Sequence, residues 1–172
     1  MHHVQGKAEL VKPADTLALL REFYNEKASL RQRHAAAARH VPNYDFNNTY
    51  QYIINREDVQ LGWLLDAIES LGGSVEPVGE PTVTVHGKGD EAQASVVRED
   101  SAGMQAFYDR WRDRVEKLTN ARHRIMLRVI LGETLEHGRF FDQMIAGRHD
   151  LLGRAADGAR TAGAVIPTRW VE

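Results

Sequence analysis

Four long segments of this sequence carry apolar residues at every third or fourth position, and this period restricts the fold more than any other feature. In an α-helix such spacing gathers the apolar side chains on one face, which has to be buried. The segments cover residues 14–40, 45–71, 100–117 and 121–147. Helices of this kind bury their faces against one another, so we predict an all-α, up-and-down four-helix bundle over residues 14–147.

The connection between the second and third segments is predicted to be a long crossover. The second helix ends at Gly72-Gly73, which is a strong stop signal. Residues 73–99 then include Pro77 and Pro81, and Val83-Thr84-Val85 is a lone alternating stretch with no partner strand in view. An up-and-down arrangement with a long second connection needs such a link to span the bundle.

The composition is that of one globular domain spanning residues 1–172. Hydrophobic residues make up 42% of the chain and charged residues 27%, which is an ordinary balance. Residues 148–172 form a tail that is first glycine-rich and then apolar at residues 164–167 and 170–171. We expect this tail, including Trp170, to pack across the bundle or onto the second subunit of a homodimer.

Charge and cysteine content exclude several classes of function. A formal net charge of −2 without a concentrated basic face argues against a nucleic-acid partner. The longest nearly apolar stretch, residues 125–132, contains Arg128 and is too short to cross a bilayer, so no membrane partner is expected. The absence of cysteine and of an apolar leader segment predicts a cytoplasmic protein.

Two of the apolar faces are interrupted by polar residues in mid-helix. Glu57 and Gln60 share the face of the second helix with Ile53 and Leu64. The predicted face of the fourth helix consists of Met126, Val129, Ile130, Glu133, His137, Phe140 and Met144. A buried carboxylate has to be paired, protonated or bound to a metal, because an unpaired charge is costly away from water. Carboxylates that converge inside a four-helix bundle are a common way to hold iron or manganese.

Residues 56–73 resemble the second helix of ferritin-like proteins such as rubrerythrins and bacterioferritins. In those proteins a Glu-x-x-His motif precedes a Leu-Gly-Gly stop and a proline-containing crossover, and here Glu57 and Leu71-Gly72-Gly73 match the glutamate and the stop. The segment Gly132-Glu133-Thr134-Leu135-Glu136-His137 resembles the second copy of the motif. Glu26 corresponds to the leading glutamate of the first helix, so the resemblance covers about residues 14–147.

The resemblance implies a centre of two iron or manganese ions that serves oxygen or peroxide chemistry, or iron handling. It assigns the ligands to Glu26, Glu57, Gln60, Glu133, Glu136 and His137. The sequence departs from the family pattern at Gln60 and Glu136, which stand where the family has histidine. His137 follows one residue later, which turns its side chain by about 100° around the helix. The third segment has no glutamate near residues 101–105, where Gln105 and Asp109 are the nearest polar residues.

A single or partial metal site stays open as well, and so do two interpretations without a metal. In the first, acidic residues of the bundle form ion pairs with basic ones, the candidates being Glu26, Glu57, Glu133 and Glu136 with Arg33, Lys27, Arg56 and Arg128. The protein would then be a metal-free ferritin-like scaffold that acts as a dimeric binding or stress-associated protein. In the second, a small apolar ligand lies between the helices. The other histidines of the bundle region are expected at the surface: His34, His40, His86, His123 and His149.

Overall fold

A computed structural model describes residues 13–152 of the chain. Four helices account for most of this part: α1 (Pro13–Ala38), α2 (Tyr44–Ser70), α3 (Asp90–Glu116) and α4 (Ala121–Ile145). The prediction of an all-α four-helix bundle is therefore confirmed. Between residues 13 and 152 no strand is formed, and Val83-Thr84-Val85 lies in the connection that precedes α3. The predicted tail lies outside the described residues from residue 153 onwards.

Helix α3 begins at Asp90 and not near residue 100, so the predicted start of the third helix is wrong. Asp90 and Glu91 lie in the first turn, where negative charge is favourable at the positive end of the helix dipole. Val96 and Val97 are fully buried, which extends the apolar face of α3 towards its start. The crossover is accordingly shorter than the predicted 73–99 and runs over residues 71–89.

Each helix lies antiparallel to its two neighbours. Helix α1 contacts α2 and α3, and α4 contacts α3 and α2. Along the α1/α3 seam Arg33 pairs with Asp100, and Glu22 pairs with Arg114. The two helices therefore run in opposite directions. Helices α2 and α3 therefore lie diagonally and point the same way, which requires a connection that spans the length of the bundle.

The crossover makes this connection along the outside of α1. Arg21 donates a hydrogen bond to the Ser74 carbonyl, and Gln32 donates one to the Val78 carbonyl. Further on, Arg39 pairs with Glu80. These contacts follow α1 from its first turns to its last residues, and they confirm the predicted long crossover.

The bundle contains two apolar clusters, one near each end. One cluster is centred on Phe23, Ile68 and Trp111, and the other on Ile53, Val97 and Phe141. The register of α4 differs from the prediction, because the residues it buries are His123, Leu127, Ile130, Leu131, Thr134, His137, Phe141 and Met144. Val129 is 45% exposed. A layer of buried polar side chains lies between the two clusters.

A buried polar layer as the candidate functional site

The polar layer contains side chains from α1, α2 and α4 that are shielded from water. Its members, all at most 2% exposed, are Lys27 and His34 on α1, Glu57 and Gln60 on α2, and Thr134 and His137 on α4. Residues seven apart, or three apart, lie on the same face of a helix, which explains the three pairs. On α3 the layer is completed by Met104, which is buried against Gly138 of α4.

Glu57 is the centre of the layer. Lys27 Nζ donates a hydrogen bond of 2.8 Å to Glu57 Oε1, and His34 Nδ1 lies 2.9 Å from Glu57 Oε2. Burial alone would raise the pKa of Glu57, but the positive charges of His34 and Lys27 and their hydrogen bonds outweigh it and lower this pKa to about 2. The carboxylate is therefore ionised at neutral pH and has a cation in direct contact.

A second ion pair closes the layer at the seam between α2 and α4. The half-buried Glu133 accepts a hydrogen bond of 2.6 Å from Arg56 Nη2 and another from Gln60 Nε2. Burial would raise the pKa of Glu133, but the hydrogen bonds from Arg56 and Gln60 lower it overall. The Arg56 guanidinium also lies over the Trp63 ring, 5.8 Å from its centroid. This pair separates the layer from solvent.

His137 is neutral at physiological pH. Burial lowers the pKa of His137 to about 4, and the charge of Lys27 acts in the same direction. Tyr52 packs edge-on against its ring at 6.0 Å. Among the described residues His137 Nδ1, His34 Nε2 and Gln60 Oε1 are buried and have no hydrogen-bond partner. The layer therefore keeps polar atoms that neighbouring side chains do not satisfy.

A separate network lies between the layer and α3. Asp100 is buried and accepts hydrogen bonds from the Tyr50 hydroxyl and, at 2.8 Å, from Arg33 Nε. Burial raises the pKa of Tyr50 well above its ordinary value, and the charge of Asp100 adds to this. The Tyr50 ring lies 6.3 Å from His34. Asp100 of α3 is thus bound by Arg33 of α1 and Tyr50 of α2, and Arg33 is its counter-ion.

The structure brings together four of the six predicted ligands and leaves two outside. Glu57, Gln60 and His137 lie in the layer, and Glu133 lies at its edge. Glu26 lies at the α1/α3 seam, where it accepts a hydrogen bond of 2.8 Å from Trp111 Nε1 and pairs with Arg110 at 3.2 Å.

Glu136 is the second predicted ligand outside the layer. It is exposed and pairs with Arg139 at 3.1 Å. Glu26 and Glu136 each precede a residue of the layer, Lys27 and His137. One residue along a helix turns a side chain by about 100°, which is enough to direct both carboxylates elsewhere.

The sequence prediction named Lys27 only as a possible ion-pair partner, and it missed His34 and Thr134 as members of the layer and Asp100 in the neighbouring network. The expectation that His34 and His123 lie at the surface is wrong, because they are 0% and 7% exposed. A signal for the two α1 residues was present, since they continue the seven-residue spacing of the buried Leu20 and Val41.

The residues of the layer do not match the ligand set of a two-metal centre. Such centres in helical bundles use a carboxylate from each of the four helices and two histidines. Here the corresponding inward positions of α1, α3 and α4 are Lys27, Met104 and Thr134, and only α2 supplies a fully buried carboxylate to the layer. Within residues 13–152 no group of three or more histidine, aspartate or glutamate side chains is placed to hold a metal ion.

The observed ion pairs agree in part with the metal-free interpretation. Lys27 pairs with Glu57, and Arg56 pairs with Glu133. The other two basic candidates pair elsewhere, Arg33 with Glu99 and Asp100, and Arg128 with Glu116.

Comparison with known proteins adds no assignment. No family model matches the sequence, and neither a curated protein nor a solved structure gives a significant match. The ferritin-like resemblance therefore stays a prediction. No helix among the described residues is both long and apolar enough to cross a membrane.

The low pKa of His137 predicts a loss of stability in mild acid. The unfolded chain takes up a proton at the ordinary histidine pKa of 6.5, whereas the folded chain takes it up only at about 4. Since the unfolded state binds more protons in this window, the free energy of unfolding falls as the pH drops through it, by at most about 3 kcal/mol for this group. Glu57, with its lowered pKa, adds a loss in the same direction below pH 4.5.

Urea unfolding of the wild type, His137→Gln and the exposed-site control His40→Gln at about pH 7 and about pH 4.5 measures this slope. We expect His137→Gln to be less sensitive to pH than the other two. Equal slopes in all three proteins would contradict the assignment to His137.

Loss of the Lys27 ammonium is predicted to destabilise the bundle strongly. Lys27→Met leaves Glu57 buried with His34 as its only partner, which should cost about 3–5 kcal/mol in urea unfolding. Adding Glu57→Gln removes the uncompensated charge and should recover part of this loss. The matched control is Arg31→Met, because Arg31 pairs with Asp58 across the same two helices at 2.7 Å but in a partly exposed position.

For Arg31→Met we expect a cost of about 1 kcal/mol or less. If Lys27→Met is no more destabilising than Arg31→Met, then Glu57 does not depend on Lys27 for its counter-charge.

Proposed function

We propose that this protein is a metal-free four-helix scaffold that works by binding a partner molecule, and that it is not a redox enzyme. The observation that carries the proposal is the contact of 2.8 Å between Lys27 and Glu57, both without solvent exposure. The ammonium supplies the positive charge that a buried carboxylate needs. A divalent ion bound to Glu57 would have to displace Lys27 or share the interior with it, and two cations side by side away from water repel each other strongly.

The other members of the layer support the same proposal. The Thr134 hydroxyl donates its hydrogen bond to the Ile130 carbonyl at 2.8 Å, and Met104 offers only a thioether. Glu133 is engaged by Arg56 and Gln60. Iron and manganese favour several anionic oxygen ligands, which this set of side chains does not supply.

A groove on the side of the bundle opposite the α2/α4 seam is a candidate binding site. It lies between α1, α3 and the crossover, and its volume is about 480 Å³. Leu30 and Phe107 line it with apolar surface. Arg33, Arg110 and Glu26 line it with charged side chains, and Arg110 and Glu26 pair with each other. This size suits a small molecule with an apolar body, which is the second interpretation made from the sequence. The lack of cysteine agrees with a cytoplasmic setting for such a protein.

Metal content is the test of this proposal. The wild type and Glu57→Gln are expressed with added iron and manganese, purified without chelators, and analysed by plasma mass spectrometry. We expect only substoichiometric metal, at the same level in both proteins, because Lys27 already neutralises Glu57. Stoichiometric iron or manganese that is lost in Glu57→Gln would overturn the proposal. Native mass spectrometry of the same samples detects any small molecule that copurifies with the groove.

A further inference from the structure

The outer face of α2 and α4 carries most of the large apolar side chains that the described residues expose. Eight such side chains are exposed in all, and the remaining three are Tyr44, Ile145 and Leu152. The five on this face are Tyr52, Val59 and Trp63 on α2, with Ile125 and Val129 on α4. Single exposed apolar residues are normal at a protein surface, but a concentration on one two-helix face marks an interaction site.

The helix geometry makes these residues neighbours. Positions 52, 59 and 63 lie on one side of α2, and positions 125 and 129 lie on one side of α4. The antiparallel pairing is fixed by the hydrogen bond from Gln60 to Glu133 and by the Tyr52 and Phe140 rings, whose centroids are 6.1 Å apart. This register places Tyr52 with Phe140 at one end of the face. Trp63 and Val129 lie together at the other end.

The middle of the face is occupied by the ion pair of Arg56 and Glu133, both about one-third exposed. Along the helices the face therefore has an apolar end, a charged middle and a second apolar end. The two charges of this pair cancel, so the pair adds no net charge to the middle of the face.

We propose that this face, defined by Tyr52, Val59, Trp63, Ile125 and Val129, is the interface of a homodimer. A two-fold axis that lies in the plane of the interface and runs parallel to the helices places α2 of one copy on α4 of the other. Trp63 of one copy then lies opposite Val129 of the other copy, and Arg56 of one copy lies opposite Glu133 of the other. The pattern is thus complementary to itself, as an interface between identical subunits requires.

The outer surface of α2 and α4, of which this face is the apolar part, is large enough for a stable dimer. Two helices of about 25 residues side by side cover roughly 38 Å by 20 Å, or about 750 Å². A standard interface buries about 800 Å² on each partner. The inference goes beyond the proposed function and uses none of its premises, because it concerns the outer surface and not the charge of the inner layer.

Sedimentation velocity of the full chain tests the interface with a matched pair of variants. Val59 and Ile145 are both 42% exposed, but only Val59 lies on the face. We expect the wild type and Ile145→Arg to sediment at twice the mass of one chain. Val59→Arg should raise the dimer dissociation constant about a hundred-fold or more, because it places a charge in the apolar part of the interface, and sediment as a monomer.

Circular dichroism of each variant establishes that the helices are intact, and Val59→Asn gives a second, milder variant if Val59→Arg does not fold. A wild type that is monomeric over the whole concentration range would overturn the inference, including the case in which residues 153–172 cover the face. Equal dimerisation of Val59→Arg and Ile145→Arg would place the interface elsewhere. Neither outcome involves metal content, so it would leave the proposed function standing.

Discussion

The pairing of Lys27 with Glu57 is the interaction on which the rest of the polar layer depends. Glu57 has no contact with water, so its negative charge is stable inside the bundle only because the Lys27 ammonium and the His34 ring contact it. Lys27 contacts one carboxylate oxygen and His34 the other. Sliding α1 by one turn along α2 would leave both charges buried without a partner. The pair therefore sets the register of the two helices as well as the charge balance of the layer.

Seven-residue steps explain why the polar side chains meet at one level. Along α1 and just past its end the buried series is Leu20, Lys27, His34 and Val41, and along α3 and just past its end it is Val97, Met104, Trp111 and Leu118. The series on α2 is Tyr50, Glu57 and Leu64, and the series on α4 is Leu127, Thr134 and Phe141. Each series is bulky at its ends and has its polar member, or the methionine of α3, in the middle. The two apolar clusters therefore enclose the layer and exclude water from it, which strengthens every charge interaction within it.

The sequence predicted the bundle because the apolar period of a helix is a direct consequence of burial. It also predicted that Glu57 and Gln60 interrupt a buried face, since both fall within an apolar series. It named Lys27 among the possible ion-pair partners of the acidic residues, but it did not single out the pairing with Glu57, because a lysine in a helix is usually solvated and the family resemblance pointed to the preceding residue, Glu26. It placed the start of α3 too late, because Pro77, Pro81 and the alternating residues 83–85 indicated a long non-helical link, while the burial of Val96 and Val97 depends on tertiary contacts. Polar partners across helices are a property of the packed structure, and no local pattern encodes them.

Lys27 holds the place beside Glu57 that a metal ion would take in a carboxylate-rich bundle. Crystals grown with ferrous iron and manganese, with anomalous diffraction recorded at the absorption edges of both metals, test it directly. We predict no anomalous peak in the layer and electron density that joins Lys27 Nζ to Glu57 at hydrogen-bond distance. A strong peak within coordination distance of Glu57, with the Lys27 side chain turned away, would contradict the account.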